Sequence, residues 1–142
     1  MSDALILDTS GLLAALDVDE PDHEAARAAV EAATGPLVMS PFVLAELDYL
    51  LLTHVGPAAE VALLEQVRAD AYALAPFDRG DVASALTVVQ RYHDLALGLA
   101  DASVVVLAER HATTSLLTLD ERRFRAVRTP TGGYFTLLPA DA

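Results

Sequence analysis

The chain has 142 residues, no cysteine and no lysine, with a formal net charge of −12. This length suits about one domain; the missing cysteines exclude disulfides and thiolate chemistry, and the missing lysine excludes a P-loop. Nucleic-acid binding by bulk charge is also excluded, while the 54% hydrophobic content, poor in aromatics, suits helices packed on a sheet.

Ala4-Leu5-Ile6-Leu7 predicts a first strand running into Asp8-Thr9-Ser10, with a helix from Gly11 to Leu16. A second helix is expected from Glu20-Pro21-Asp22 to about Ala33, where Gly35-Pro36 stops it. Leu37 to Met39 reads as a second strand. Ser40-Pro41 then offers an N-cap with proline at the first helical position, opening a helix to about His54. A further helix covers roughly Pro57 to Ala69. Tyr72 to Leu74 is a third strand, followed by helices over about Arg79–Tyr92 and Leu99–Arg110. Ser115 to Leu119 forms a fourth strand ending at Asp120, and Glu121 to Ala126 a short helix. The Gly132-Gly133 turn leads into a final strand, Tyr134 to Leu138.

No repeat or linker interrupts this alternation, so residues 1–142 read as one α/β domain. The expected sheet is mainly parallel and covered on both faces. No basic segment precedes the first strand. The longest charge-free run, Ala32 to Ala45, is broken by Gly35, Pro36 and Pro41, so a soluble cytoplasmic protein is expected. His23, His54, His93 and His111 form no ligand pair at helical spacing and read as surface or helix-end residues.

Four acids stand out. Asp8 and Asp120 each follow a strand, and parallel sheets collect ligands beyond the carboxyl ends of their strands. Both could instead be plain helix caps. Glu46 has Phe42, Val43, Tyr49 and Leu50 as helical neighbours, an apolar setting in which a lone carboxylate needs a partner. Asp48 is surrounded as apolarly, and periodicity does not choose between the two. The same helix is apolar all round, which suggests contact with a second subunit. Asp101 falls near the start of a helix among Leu97, Gly98, Val104 and Val105, where a charge–dipole role is the alternative. Carboxylates without thiolate or paired imidazole select Mg²⁺ or Mn²⁺. Residues 1–60 hold eleven acids against Arg27 alone, whereas Glu121 to Arg128 carries four arginines against one acid.

The stretches Leu5 to Ala14, Ser40 to Leu50, Gly98 to Ala102 and Leu117 to Phe124 resemble, in order, the acidic motifs of PIN-domain proteins. They are most similar to those of the VapC-type toxins of bacterial toxin–antitoxin pairs. The resemblance runs from about Leu5 to Pro139 and puts Glu46, not Asp48, among the ligands. It implies a three-layer α/β/α sandwich, a homodimer, and a cognate antitoxin that covers the acidic site. The implied activity is Mg²⁺-dependent endoribonuclease cleavage of a structured RNA such as tRNA or rRNA, leaving 5′-phosphate and 3′-hydroxyl ends. One or two ions, with Mn²⁺ as a possible substitute, would lie on Asp8, Glu46, Asp101 and Asp120. Thr9, Ser10 and Thr118 would support these acids by hydrogen bonds, and Arg122, Arg123 and Arg125 would contact RNA. Arg123 stands where many PIN proteins carry a further acid. The alternative is a catalytically weak PIN-like module that binds RNA or protein. A dehalogenase-type phosphatase is disfavoured, since it wants an acid at position 10 and usually a lysine.

Overall fold

The structure is a computed structural model that describes residues 2–142. The elements run β1 (Leu5–Leu7), α1 (Thr9–Leu16), α2 (His23–Ala32), β2 (Leu37–Met39), α3 (Pro41–His54) and α4 (Pro57–Arg68). They continue through β3 (Ala73–Leu74), α5 (Arg79–Arg91), α6 (Leu99–Arg110), β4 (Ser115–Leu117), α7 (Glu121–Ala126) and β5 (Thr136–Leu138). One turn of 3-10 helix, His93–Leu95, joins α5 to α6.

The five strands lie in the order β3-β2-β1-β4-β5, and every neighbouring pair is parallel. Connections therefore step one way from β1 to β3 and the other way from β3 through β4 to β5. Right-handed crossovers then lay α1 to α4 on one face and α5 to α7 on the other, giving the expected three layers. Being sandwiched explains the apolar runs: Ile6, Leu7, Leu116 and Leu117 are fully buried. The order reverses between β1 and β4, and the crevice at such a reversal is where a doubly wound sheet binds ligands.

Several element boundaries differ from the sequence expectation, each for a local reason. Strand β4 stops at Leu117 rather than Leu119, because side chains capture the next amides. Leu119 N–H donates to Ser10 Oγ (3.0 Å) and Asp120 N–H to Thr118 Oγ1 (3.0 Å). Strand β5 starts at Thr136 rather than Tyr134, which forms an antiparallel bridge with Arg128. Helix α2 starts at His23 rather than Glu20, because Asp17 to His23 is occupied by successive turns. Helix α1 starts at Thr9, two residues earlier than expected.

Two devices fix the helices around the crevice. Ser40 caps α3 by accepting from Phe42 N–H (3.1 Å), as its position before Pro41 predicts. Its hydroxyl is also hydrogen bonded to Ser103 Oγ of α6 at 2.6 Å, which ties α3 to α6 at a fully buried point. On the other side, Gly11 lets α1 approach the end of β4. A Cβ there would sit 2.5 Å from the Leu117 carbonyl oxygen and 2.8 Å from its Cγ. Backbone cannot yield as a flexible side chain does. Gly11→Ala is therefore expected to cost about 1–3 kcal/mol, as overpacking does. A thermal melt should fall by roughly 3–10 °C, and an unchanged midpoint would contradict this packing.

Candidate metal centre at the carboxyl edge of the sheet

Asp8 leaves the end of β1 and is 4% exposed. It occupies the N-cap position of α1 yet makes no side-chain cap bond, so the plain helix-cap reading fails. Its carboxylate is used elsewhere: Ser10 Oγ (2.9 Å) and Thr118 Oγ1 (2.8 Å) both donate to Oδ2. Each hydroxyl has one proton, so the 3.3 Å approach of Ser10 to Thr118 is a packing contact. Both hydroxyls also accept the backbone amides named above, which locks their orientation. Oδ1 takes no side-chain hydrogen bond. Thr118 lies just past β4, and the acid it supports is Asp8.

Asp101 lies in the first turn of α6, where Oδ2 accepts the Gly98 N–H at 3.4 Å. Asp120 caps α7: Oδ1 accepts the Arg123 N–H (3.1 Å) and Oδ2 pairs with Arg123 Nη1 (3.2 Å). Its cap role is thus real, alongside its place in the pocket. Glu46 projects from α3 and is exposed, so the burial cost invoked for it on periodicity does not apply. The half-buried acid of that helix is Asp48, whose Oδ1 is buried without a partner and whose neighbour is Glu60 of α4. A hydrogen bond with Asp48 raises the Glu60 carboxyl above its ordinary range.

Asp8, Glu46, Asp101 and Asp120 line one pocket of about 300 Å³ with Thr9, Ser10 and Arg123. A larger pocket of about 430 Å³ opens at the opposite, amino edge of the sheet, among Leu5, Ser115 and the end of α2, without such a cluster. In the acidic pocket Asp8 and Asp101 resist ionisation. Burial pushes Asp8 up to about 6, against the lowering bonds from Thr118 and Ser10, and nearby Asp101 adds to the rise. Burial likewise raises Asp101, with Asp120 and Glu46 adding to it and the Gly98 amide and Arg123 opposing.

A divalent cation fits this donor set. The groups are hard oxygens, the most buried of them lacks a compensating charge, and Thr9 Oγ1 is buried in the pocket wall with no partner. Asp8, Asp101, Glu46 and Asp120 are the residues that would hold it. Among the described residues no three such groups already converge on one point, because Asp120 is turned to Arg123 and Asp101 to Gly98. All four histidines stay outside, at helix ends as expected.

The comparisons with known proteins bear on the family and the fold. The family model described as PIN domain matches residues 5–130. The chain belongs to the PIN-domain family. Within it, the chain is 45% identical to Ribonuclease VapC26 of Mycobacterium tuberculosis over 135 residues, covering 95% of this chain and all of that protein. The fold is similar to the crystal structure of M. tuberculosis VapC20, a sarcin-ricin loop cleaving toxin. That match has a TM-score of 0.75 and 19% identity, over 82% of this chain and 89% of the other. It is also similar to FitAcB from Neisseria gonorrhoeae, with a TM-score of 0.53 and 19% identity over 76% and 82% of the two chains.

The arginines of this PIN domain separate by partner. Arg125 pairs with Glu121 (2.7 Å) and Asp141 (2.8 Å), and these bonds raise its pKa. Arg123 turns into the acidic pocket, while Arg122 is exposed and makes no side-chain bond among the described residues. Arg128 stacks 3.9 Å from the ring of exposed Tyr134, an aromatic–cation pair that charge density alone did not single out.

Asp8 gives the PIN site a pH signature. Its proton is held more tightly in the folded chain (about 6) than at the ordinary value of 3.8. Folding stability without metal therefore falls as pH rises through that window, by about 3 kcal/mol in all. Asp8→Asn keeps an acceptor for both hydroxyls without the charge. In EDTA it should melt above wild type at pH 7.5 and alongside it at pH 4. A mutant melting below wild type at pH 7.5 would show that the Asp8 charge is already compensated.

Proposed function

We propose that this chain is the toxin of a toxin–antitoxin pair, a metal-dependent endoribonuclease acting on structured RNA such as tRNA or rRNA. The carrying observation is the set of four carboxylates around one pocket at the reversal of strand order, with Asp8 buried and uncompensated. Membership in the PIN family and the 45% identity to a protein named as a ribonuclease support the same activity. Asp8, Glu46, Asp101 and Asp120 hold the ion or ions, Mg²⁺ with Mn²⁺ as substitute.

When bound, such an ion supplies positive charge to the phosphodiester and acidifies a water. The chain's own residues supply the rest. Ser10 and Thr118 hold Asp8 in a fixed orientation, so ligand binding at that carboxylate needs little rearrangement. Asp101, with the acids and the guanidinium around it, sets the charge of the pocket floor. Arg122 and Arg123 offer the positive contacts beside it that an RNA backbone needs on a chain of −12; Arg125 has its charge balanced by Glu121 and Asp141. Products would carry 5′-phosphate and 3′-hydroxyl ends.

Two partners complete the proposal. The cognate antitoxin covers the acidic pocket. A homodimer covers the apolar residues Tyr49 and Leu52 of α3, Val55 just past its end, and Val61 and Leu64 of α4, all exposed in the single chain. Leu52→Glu is expected to shift sedimentation from dimer to monomer at micromolar concentration; a wild-type monomer would contradict the dimer.

Cleavage tests the activity. Folded RNA incubated with the protein and Mg²⁺ should be cut, EDTA should stop it, and Asp101→Asn should slow it by roughly 100-fold or more. Undiminished cleavage in EDTA would end the metal-dependent reading.

A further inference from the structure

The four acids of the pocket are not equivalent. Asp101 adds to the rise at Asp8, and Asp120 and Glu46 add to the field at Asp101; among the described residues Asp8, Asp101 and Glu46 have no cationic side chain bonded to them. Asp120 differs. Both its oxygens are engaged by one residue, Arg123, through the backbone N–H (3.1 Å) and Nη1 (3.2 Å). The guanidinium is held from its other side as well, since Nε donates to the Leu95 carbonyl at 3.1 Å. Arg123 lines the same pocket as the four acids, and its charge is felt at Asp101.

We propose that the Arg123 guanidinium is the second cation of this pocket: it pairs with Asp120, leaves a divalent ion resting chiefly on Asp8, Asp101 and Glu46, and limits the site to one ion. This rests on the metal-centre reading above. The charge count favours it. Four carboxylates alone would balance two divalent ions; with the guanidinium the pocket starts at −4 + 1 = −3, and two such ions would leave it net positive at +1. A guanidinium does not deprotonate to make way. A second ion on Asp120 would sit against the guanidinium that the Nη1 bond and the Leu95 carbonyl hold beside it. Arg123 thereby acts as a positioning residue for Asp120, and its Nη2, without a protein acceptor among the described residues, faces no competitor for a phosphate oxygen.

Counting bound Mn²⁺ on the metal-free full-length protein tests this without any activity. Isothermal titration calorimetry, with the electron paramagnetic resonance signal of free Mn²⁺ as a second count, should give one ion per chain in wild type. Arg123→Ala should admit a second, and Arg123→Lys, which keeps the charge, should stay at one. Asp101→Asn should weaken binding of that ion by roughly 30-fold or more, and Asp120→Asn, whose count stays at one, should weaken it clearly less. Two ions in wild type or in Arg123→Lys, an unchanged count in Arg123→Ala, or loss of binding in Asp120→Asn equal to that in Asp101→Asn would each overturn the proposal. If Arg123→Ala fails to fold by circular dichroism, wild type, Arg123→Lys and Asp120→Asn decide. Wild type that binds no Mn²⁺ at all would defeat the metal-centre reading itself, and the proposal with it.

Discussion

A carboxylate buried at the end of the central strand governs this molecule. Asp8 is almost wholly removed from water, and two hydroxyls converge on one of its oxygens without cancelling its charge. Burial of an uncompensated acid is costly, and its pKa rises accordingly. The chain tolerates this because Ser10 and Thr118 are themselves anchored by the amides of Leu119 and Asp120. The apparatus that ends β4 is thus the same apparatus that orients Asp8. Local instability of this kind, held by surrounding order, is what a ligand site looks like before the ligand arrives.

Topology supplies the rest of the pocket. Parallel strands all deliver their carboxyl ends to one edge, and the reversal between β1 and β4 opens a gap there. Asp8 and Asp120 reach the gap from the two strands that flank it. Asp101 and Glu46 come from α6 and α3, which the buried Ser40–Ser103 hydrogen bond holds together. Gly11 completes the arrangement by omission, since a side chain there would push α1 off the end of β4. Each acid is therefore placed by a different piece of backbone, and the pocket is a property of the whole sheet.

Much of this was legible in the sequence, because strand ends and helix starts leave strong local marks. The alternation of strands and helices, the Ser40-Pro41 start of α3, and the positions of Asp8, Asp101 and Asp120 follow from short windows of residues. Glu46 did not follow from periodicity. The cost of burying a charge points at Asp48, which is the half-buried acid; Glu46 is exposed, and only its motif singled it out. Strand ends were overestimated wherever a hydroxyl competes for the next amide, an effect invisible to hydrophobic pattern. The arginines looked alike in sequence because their partners lie elsewhere: Asp141, sixteen residues from Arg125, neutralises it, while Leu95 turns Arg123 inward.

The span between Thr118 and Asp8 has a further consequence, in time rather than in space. The hydrogen bond that orients the first acid joins residues 110 positions apart, and β4, which flanks β1, is synthesised long after it. At roughly 5–20 residues per second, a ribosome needs about 5–20 s between making the two. Through that interval β1 can pair with β2, but Asp8 has neither of its neighbours on the β4 side. The growing chain therefore carries its acids apart, and the pocket closes only after β4 has been made. Contacts so distant in sequence also slow folding, which extends the period during which a newly made chain has no assembled site.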